Sequence, residues 1–359
     1  MSDRNRVIAL YLPQFHPIPE NDQWWGKGFT EWMNVGKAKP LFKGHYQPKV
    51  PADLGYYDLR LSEAREAQAE MAKSHGVEGF CYWHYWFGNG KQLLERPFQE
   101  VLASGKPDFP FCLAWANESW KGFFHGVNGR EVLIEQTYPS EQDYIDHFYS
   151  VLPAFKDSRY IRVESKPLFI IYNPFSLPDA HAFISLWQQL AEENGLGGIH
   201  FVGHTYSAER INEMMALGFD AVEVVRLFDY LNNRTLYGKL MTRIRNKYLS
   251  HPRIVSYKEA QKSFVGEEEK SEHVYPTIIP NWDHTPRTGR KGLVFHNSTP
   301  DLFMEHLWDI KDILKDKKNK IVFIKSWNEW AEGNYMEPDL RYGCQYLEKL
   351  RDVLGEHKL

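Results

Sequence analysis

The chain has 359 residues, 43% of them hydrophobic and 25% charged, with a formal net charge of −4. That is ordinary globular composition, enough for one large domain or two average ones. The mild acidity, with a pI near 6.4, argues against a nucleic-acid-binding surface, and no run suits a membrane span. Only a short apolar stretch precedes Pro13, with no small-residue cleavage site, so no signal peptide is read and a cytoplasmic location is expected. Cys81, Cys112 and Cys344 are scattered, two of them inside apolar runs; they read as reduced thiols rather than a disulfide frame. Aromatic residues reach 15%, including 12 Trp. A large aromatic core and a sugar-binding surface both fit that number, and placement has to separate them.

In chain order, eight short apolar runs recur: Val7–Leu12, Gly79–Trp83, Phe111–Trp115, Leu168–Tyr172, His200–Gly203, Ala221–Val225, Val274–Ile279 and Ile321–Ile324. Continuous apolar runs bounded by turn residues suit strands buried on both faces. Helical patterns lie between most of them. Asp58–His75 stops at Gly76, and Gln92–Ser104 places Leu93, Leu94, Phe98, Val101 and Leu102 on one face. Ser140-Glu141-Gln142-Asp143 opens a helix to Ala154, and Asp179–Asn194 ends at Gly195. Thr299 before Pro300 starts a helix to about Lys315, and Gly343–Leu354 closes the chain. Strand and helix alternating eight times predicts an α/β fold, a (β/α)8 TIM-type barrel forming a single domain over 1–359. An open doubly wound sheet is the alternative, but the first strand runs into Pro13-Gln14-Phe15-His16-Pro17 rather than a Gly-rich phosphate turn.

Two loops are enlarged, about 13–57 after strand one and about 226–273 after strand six. Within 226–253 there are seven Lys or Arg and one Asp, and an acidic knot, Gly266–Glu272, follows. Such charge runs read first as solvated surface, with a phosphate-bearing acceptor or lipid head group as the sharper option. Gly88-Asn89-Gly90-Lys91 reads as a turn.

The chemistry collects at the strand ends. Tyr11 and His16 follow the first strand, Tyr82 and His84 the second, Trp115, Asn117 and Glu118 the third, Tyr172 the fourth, and His204 the fifth. Trp282, Asp283 and Arg287 follow the seventh strand, and Trp327, Glu329, Trp330 and Glu332 the eighth. In a barrel these ends converge on one mouth. Glycosyl chemistry needs one group to protonate the leaving oxygen and another to supply negative charge or take a proton. Glu329 and Glu332, three apart after an apolar strand and beside two tryptophans, can share a cavity in which burial and like charge split their pKa values. The spacing alone is common, and both could be exposed loop acids. Trp115, Trp282, Trp327 and Trp330 are candidate stacking platforms; the other strand-end residues are candidates for hydroxyl recognition. No compact His/carboxylate metal set, Asp-x-Asp or Gly-x-Ser-x-Gly occurs, so neither metal nor cofactor is expected.

Several stretches resemble the WbsX-type proteins: Ala9–Pro17, Trp24–Trp32, Gly79–Phe87, Leu113–Glu118, Asn281–Arg287 and Trp327–Gly333. That family is labelled glycosyltransferase, is associated with bacterial lipopolysaccharide O-antigen clusters, and is distantly related to the endo-α-mannosidases of glycoside hydrolase family 99. The resemblance covers about 7–342 and implies a (β/α)8 barrel. By the shared Asn-Glu-x-x-Glu spacing it implies Glu329 as base and Glu332 as acid in a retaining mechanism through a 1,2-anhydro sugar. The first strand and its loop are of the WbsX type rather than the mannosidase type. The expectation is thus an enzyme making or cleaving a glycosidic bond of an oligosaccharide or polysaccharide, in bacterial surface-polysaccharide metabolism. A retaining endo-α-mannosidase-like hydrolase and an inactive sugar-binding barrel are the alternatives.

Overall fold

The computed structural model describes residues 4–122, 131–232 and 251–355. Eight parallel strands close on themselves: β1 (Arg6–Tyr11), β2 (Gly79–Trp86), β3 (Phe111–Trp115), β4 (Lys166–Ile171), β5 (His200–Thr205), β6 (Ala221–Val224), β7 (Val274–Ile278) and β8 (Ile321–Ile324). Each pairs with its successor, and Arg6–Ala9 of β1 runs beside Ile321–Ile324 of β8 to complete the barrel. The expected runs all become strands because Val, Ile, Phe and Leu there are covered on both faces; every residue of β2, β3, β6, β7 and β8 is buried.

The helices form where caps and periodicity place them. In α1 (Glu141–Lys156) the Ser140 hydroxyl accepts from the Asp143 amide, and in α2 (Ala180–Glu193) Asp179 does so from Ala182. Thr299 caps α3 (Pro300–Leu314) with Pro300 at the first turn. Three starts fall later than the sequence pattern suggests. The helix expected from Asp58 begins at Ser62, because Asp58 folds back on the Arg60 amide and guanidinium. That expected from Gln92 begins at Arg96, because β2 overshoots the barrel rim and turns at Gly88–Lys91, so that Gln92–Leu93 pair antiparallel with Tyr85–Trp86. The last begins at Gln345.

Both enlarged loops are present. The first carries short helices at Pro19–Trp25 and Glu31–Gly36. Much of the basic stretch of the second, 233–250, lies outside the described residues. The acidic knot is only partly solvated: Glu269 is fully buried and Glu268 half exposed, and both clasp Arg226 at 2.6 Å.

Two features decide which side chains reach the mouth. Side chains alternate across each strand. In β2, Trp83 and Tyr85 point inward, whereas Tyr82 meets Phe98 and His84 meets His147 on the surrounding helices. In addition, two buried asparagines tie strand ends to their neighbours. Asn328 accepts from the Leu12 amide at 2.8 Å and donates to the Leu12 carbonyl at 3.0 Å, clamping the end of β8 to that of β1. Asn117 does the same between β3 and β4, accepting from the Asn173 amide at 2.7 Å and donating to its carbonyl at 2.9 Å. Asn328→Ala strands a buried amide and carbonyl on Leu12; we expect it to destabilise the fold by about 2–4 kcal/mol, measured by urea unfolding. A loss below ~0.5 kcal/mol would show that the clamp is not needed for closure.

Candidate active site

The mouth opens into a solvent-accessible cleft of about 200 Å³. Its acids come from a tight hairpin after β8. Asn328–Glu329 pair antiparallel with Asn334–Tyr335, a single helical turn spans Trp330–Glu332, and Gly333 reverses the chain at φ 62°. Glycine is required there: besides the left-handed conformation, a Cβ would come within 2.6 Å of the Lys49 ammonium and 2.7 Å of Asp283. The Glu332 carbonyl accepts from the Asp283 amide, fixing the turn to the loop after β7. Both carboxylates consequently reach the cleft from one short turn, with side chains 8% and 14% exposed.

Arg287 binds them together. Its Nη1 lies 2.5 Å from Glu332, and its Nη2 lies 3.4 Å from Glu329 and 3.2 Å from Glu31, a fully buried acid of the first loop. Burial works against the guanidinium charge, but the three carboxylates outweigh it and keep it protonated. The two cleft acids are driven apart. Burial, then the charge of Glu332, pushes the Glu329 carboxyl up to about 7, against the pull of Arg287 and Lys325. Burial would raise Glu332 too, but Arg287, Lys325 and His284 hold it below the usual carboxylate value. Near neutral pH Glu329 is therefore the member of the pair that holds a proton more readily, while Glu332 stays ionised.

The walls are aromatic: Trp83, Tyr85, Trp120, Tyr172, Tyr206 and Trp282, with Lys325 and Glu118 among them. Flat rings around a polar floor suit the C–H faces and hydroxyls of a sugar. Burial raises the Glu118 pKa, with Lys121 opposing. Among the described residues, no three His, Cys, Asp or Glu side chains are grouped to hold a metal ion.

Of the residues singled out in the sequence, Glu118, Tyr172, Trp282, Arg287, Glu329 and Glu332 line the cleft. The others are buried elsewhere. Tyr11 donates to Gln68 outside the barrel at 2.6 Å and packs on Tyr82. His84 shares a 2.9 Å contact with His147, and burial lowers its pKa to about 4. Trp115 points outward, donating to the Trp86 carbonyl and packing on Phe183. Asn117 is the clamp already described. His16 is sealed in the first loop, where burial lowers its pKa to about 4. His204 lies inside the barrel, bonded to Glu223 at 2.7 Å and stacked on Tyr172. Asp283 sits behind the acid turn. Burial alone would raise its pKa, but His45, Lys49 and Thr285 hold it at about 2. Trp327 is wholly buried against Phe80. Trp330 stacks on Tyr335 at 3.8 Å and donates to Glu337 at 2.6 Å. Both indoles flanking the acids thus brace the turn from behind rather than face the cleft.

The sequence also places Trp83, Tyr85, Trp120 and Tyr206 after their strands, although they are not among the site residues read from it, and Glu31 and Lys325 are passed over. Period-2 counting from an inward Trp83 gives Tyr85, and Tyr206 lies two residues beyond the inward His204. Glu31 gave no local sign, since its partner Arg287 lies 256 residues away.

A closed parallel barrel with two unequal, arginine-bound glutamates and aromatic walls at its C-terminal mouth is of the carbohydrate-active class. Residues 7–350 match the family described as glycosyltransferase WbsX, and the chain belongs to it. It is 37% identical over 357 residues to the uncharacterized protein WxcX of Xanthomonas campestris pv. campestris, covering 97% of this chain and 49% of that protein. The chain thus spans about half the length of the curated relatives it matches. Among solved structures it resembles a glycoside hydrolase-like protein (TM-score 0.63, 14% identity, covering 99% of this chain and 95% of the other). It also resembles the GH99 endo-α-mannosidase of Bacteroides thetaiotaomicron (TM-score 0.60, 16% identity, 98% and 97%). At these identities the likeness is one of fold.

The protonation of Glu329 can be read from stability. Its folded pKa of about 7 exceeds the ordinary 4.5, so across that window the folded state holds more protons than the unfolded, and this group's contribution falls as pH rises. Glu329→Gln lacks the term. Its stability relative to the wild type should improve steadily from about pH 4.5 to about pH 7 and then level off, as followed by denaturant unfolding. A difference that does not change with pH would mean that the carboxyl is not held neutral.

Proposed function

We propose that this chain makes or cleaves a glycosidic bond at the mouth of its barrel, with Glu329 and Glu332 as the proton-transferring pair. One observation carries the reading: two glutamates of one short turn, shifted in opposite directions around one arginine, face a cleft with aromatic walls. The protonated member gives its proton to the leaving oxygen as the bond to the anomeric carbon breaks. The ionised member takes a proton from the attacking hydroxyl, whether that belongs to an acceptor, to water or to the substrate's own ring. Tyr172, Trp282 and Glu118 orient the sugar. The expected absence of metal and cofactor is part of the same reading.

Family membership supports transfer; the setting of this reading is bacterial surface-polysaccharide assembly, lipopolysaccharide O-antigen included, inside the cytoplasm. No helix among the described residues is long and apolar enough to cross a membrane. The fold likeness to an endo-α-mannosidase favours hydrolysis as the second reading. Reducing ends separate the two: incubation with α-mannan oligosaccharides generates new reducing ends under hydrolysis and conserves them under transfer. Glu329→Gln and Glu332→Gln should each slow turnover by about 10²–10⁴-fold while glycan binding stays within a few-fold. A wild-type protein that binds glycan and turns over nothing would make the barrel a sugar-binding one.

In the resting site Glu329 is the more readily protonated and Glu332 is ion-paired to Arg287 at 2.5 Å, so we read the two roles in the opposite order to that implied by the resemblance. An aryl glycoside with a strongly activated leaving group dispenses with the acid. The ion pair predicts that such a substrate rescues Glu329→Gln and not Glu332→Gln. The opposite pattern would assign Glu332 as the acid and require the sugar to displace Arg287 from it. The kcat/KM of the wild type should fall as pH rises through about 7 with loss of the Glu329 proton.

A further inference from the structure

Behind the acid turn lies a second cavity, of about 130 Å³, whose wall includes Lys49, Asp283, Gly333, Glu337, Asp339 and Arg341. The two cavities stand back to back: Trp282 and Glu332 face the cleft, while their neighbours Asp283 and Gly333 face this one. We propose that it is a second ligand site, taking an oxyanion group, a carboxylate or a phosphate, carried on a sugar. The sugar part of this assignment rests on the carbohydrate reading above.

Lys49 is 2% exposed. Its ammonium has three donors, and its one hydrogen bond among the described residues is a long one, 3.3 Å to the Gly333 carbonyl. Otherwise it faces the rings of Tyr335 and Tyr46 at 5.1 and 6.0 Å. A buried ammonium so weakly bonded favours acceptor oxygens. Arg341 lies flat over the other side of Tyr46 at 3.6 Å. The acids of the wall are already engaged. Asp283 accepts from His45, Gln47, and both the amide and hydroxyl of Thr285. Asp339 accepts from the amides of Arg341 and Tyr342 and from the Tyr335 hydroxyl. The negative groups, Glu337 included, are thus hydrogen-bonded within the protein; Lys49 feels the charges of Asp283 and Asp339 but makes no direct bond to either among the described residues, so its ammonium keeps free donors. The start of the fifteen-residue helix α3 at Thr299 adds its positive end to the same cavity. Tyrosine rings along the wall supply flat faces for the sugar.

Isothermal titration of the chain with glucuronate, inorganic phosphate and glucose tests this without requiring turnover, so its failure is separate from failure of the catalytic reading. At least one of the two anions should saturate a single site per chain, and glucose should not. The stronger of glucuronate and phosphate identifies the oxyanion. Arg341→Gln, at an exposed position, should weaken that binding by about tenfold or more, as should Lys49→Met where it folds. Lys325→Met, which removes a cation of the cleft, should leave it unchanged. The proposal fails if neither anion saturates, if glucose binds equally well, or if binding is lost in Lys325→Met and kept in Arg341→Gln.

Discussion

The site depends on one buried guanidinium. Arg287, on the loop after β7, is shared by Glu31 from the loop after β1 and by Glu329 and Glu332 from the turn after β8. Charges taken out of water persist only when paired and hydrogen-bonded, so this cluster ties three distant segments to one geometry. It also makes the two cleft acids unequal. Glu332 lies in the closer ion pair and is held below the usual carboxylate range; Glu329, at a longer distance and more deeply buried, is raised above it. On the proposed reading, this asymmetry is what lets the two serve as acid and base.

The barrel supplies that cluster with a rigid base. Asn117 and Asn328 repeat one device at opposite sides of the ring. Each closes a pair of hydrogen bonds across to the next strand's extension, and each is followed directly by a glutamate, Glu118 or Glu329, that enters the cleft. Behind the acid turn, Trp330 on Tyr335 and Glu337, and Asp283 on the Glu332 carbonyl, leave the turn little room to move. This fixation is built from buried polar pairs and ring stacking.

All eight strands were legible, because parallel strands buried on both faces read as unbroken apolar runs with little else to mimic them. For the same reason their sidedness was not. Phe80 to Phe87 is aromatic or otherwise bulky at nearly every position, and nothing in it distinguishes inward Trp83 and Tyr85 from outward Tyr82 and His84. The acids were legible from their place after β8. The two indoles beside them misled, since in this tight turn the residues next to the cleft-facing acids point the opposite way, into the protein. Asn117, Asp283 and His204 were correctly placed at strand ends, but their hydrogen bonds go to the protein. Glu31 lay in a stretch recognised as distinctive, and its role appears only when folding brings Arg287 to it.

The most direct test is a crystal structure of the Glu332→Gln protein soaked with a short mannose-containing oligosaccharide. The account predicts a sugar ring packed between Trp282 and Tyr172, its anomeric carbon beside Glu329 and position 332, and its hydroxyls on Glu118 or Arg287. A glycan bound only outside this mouth, with the cleft empty, would contradict it.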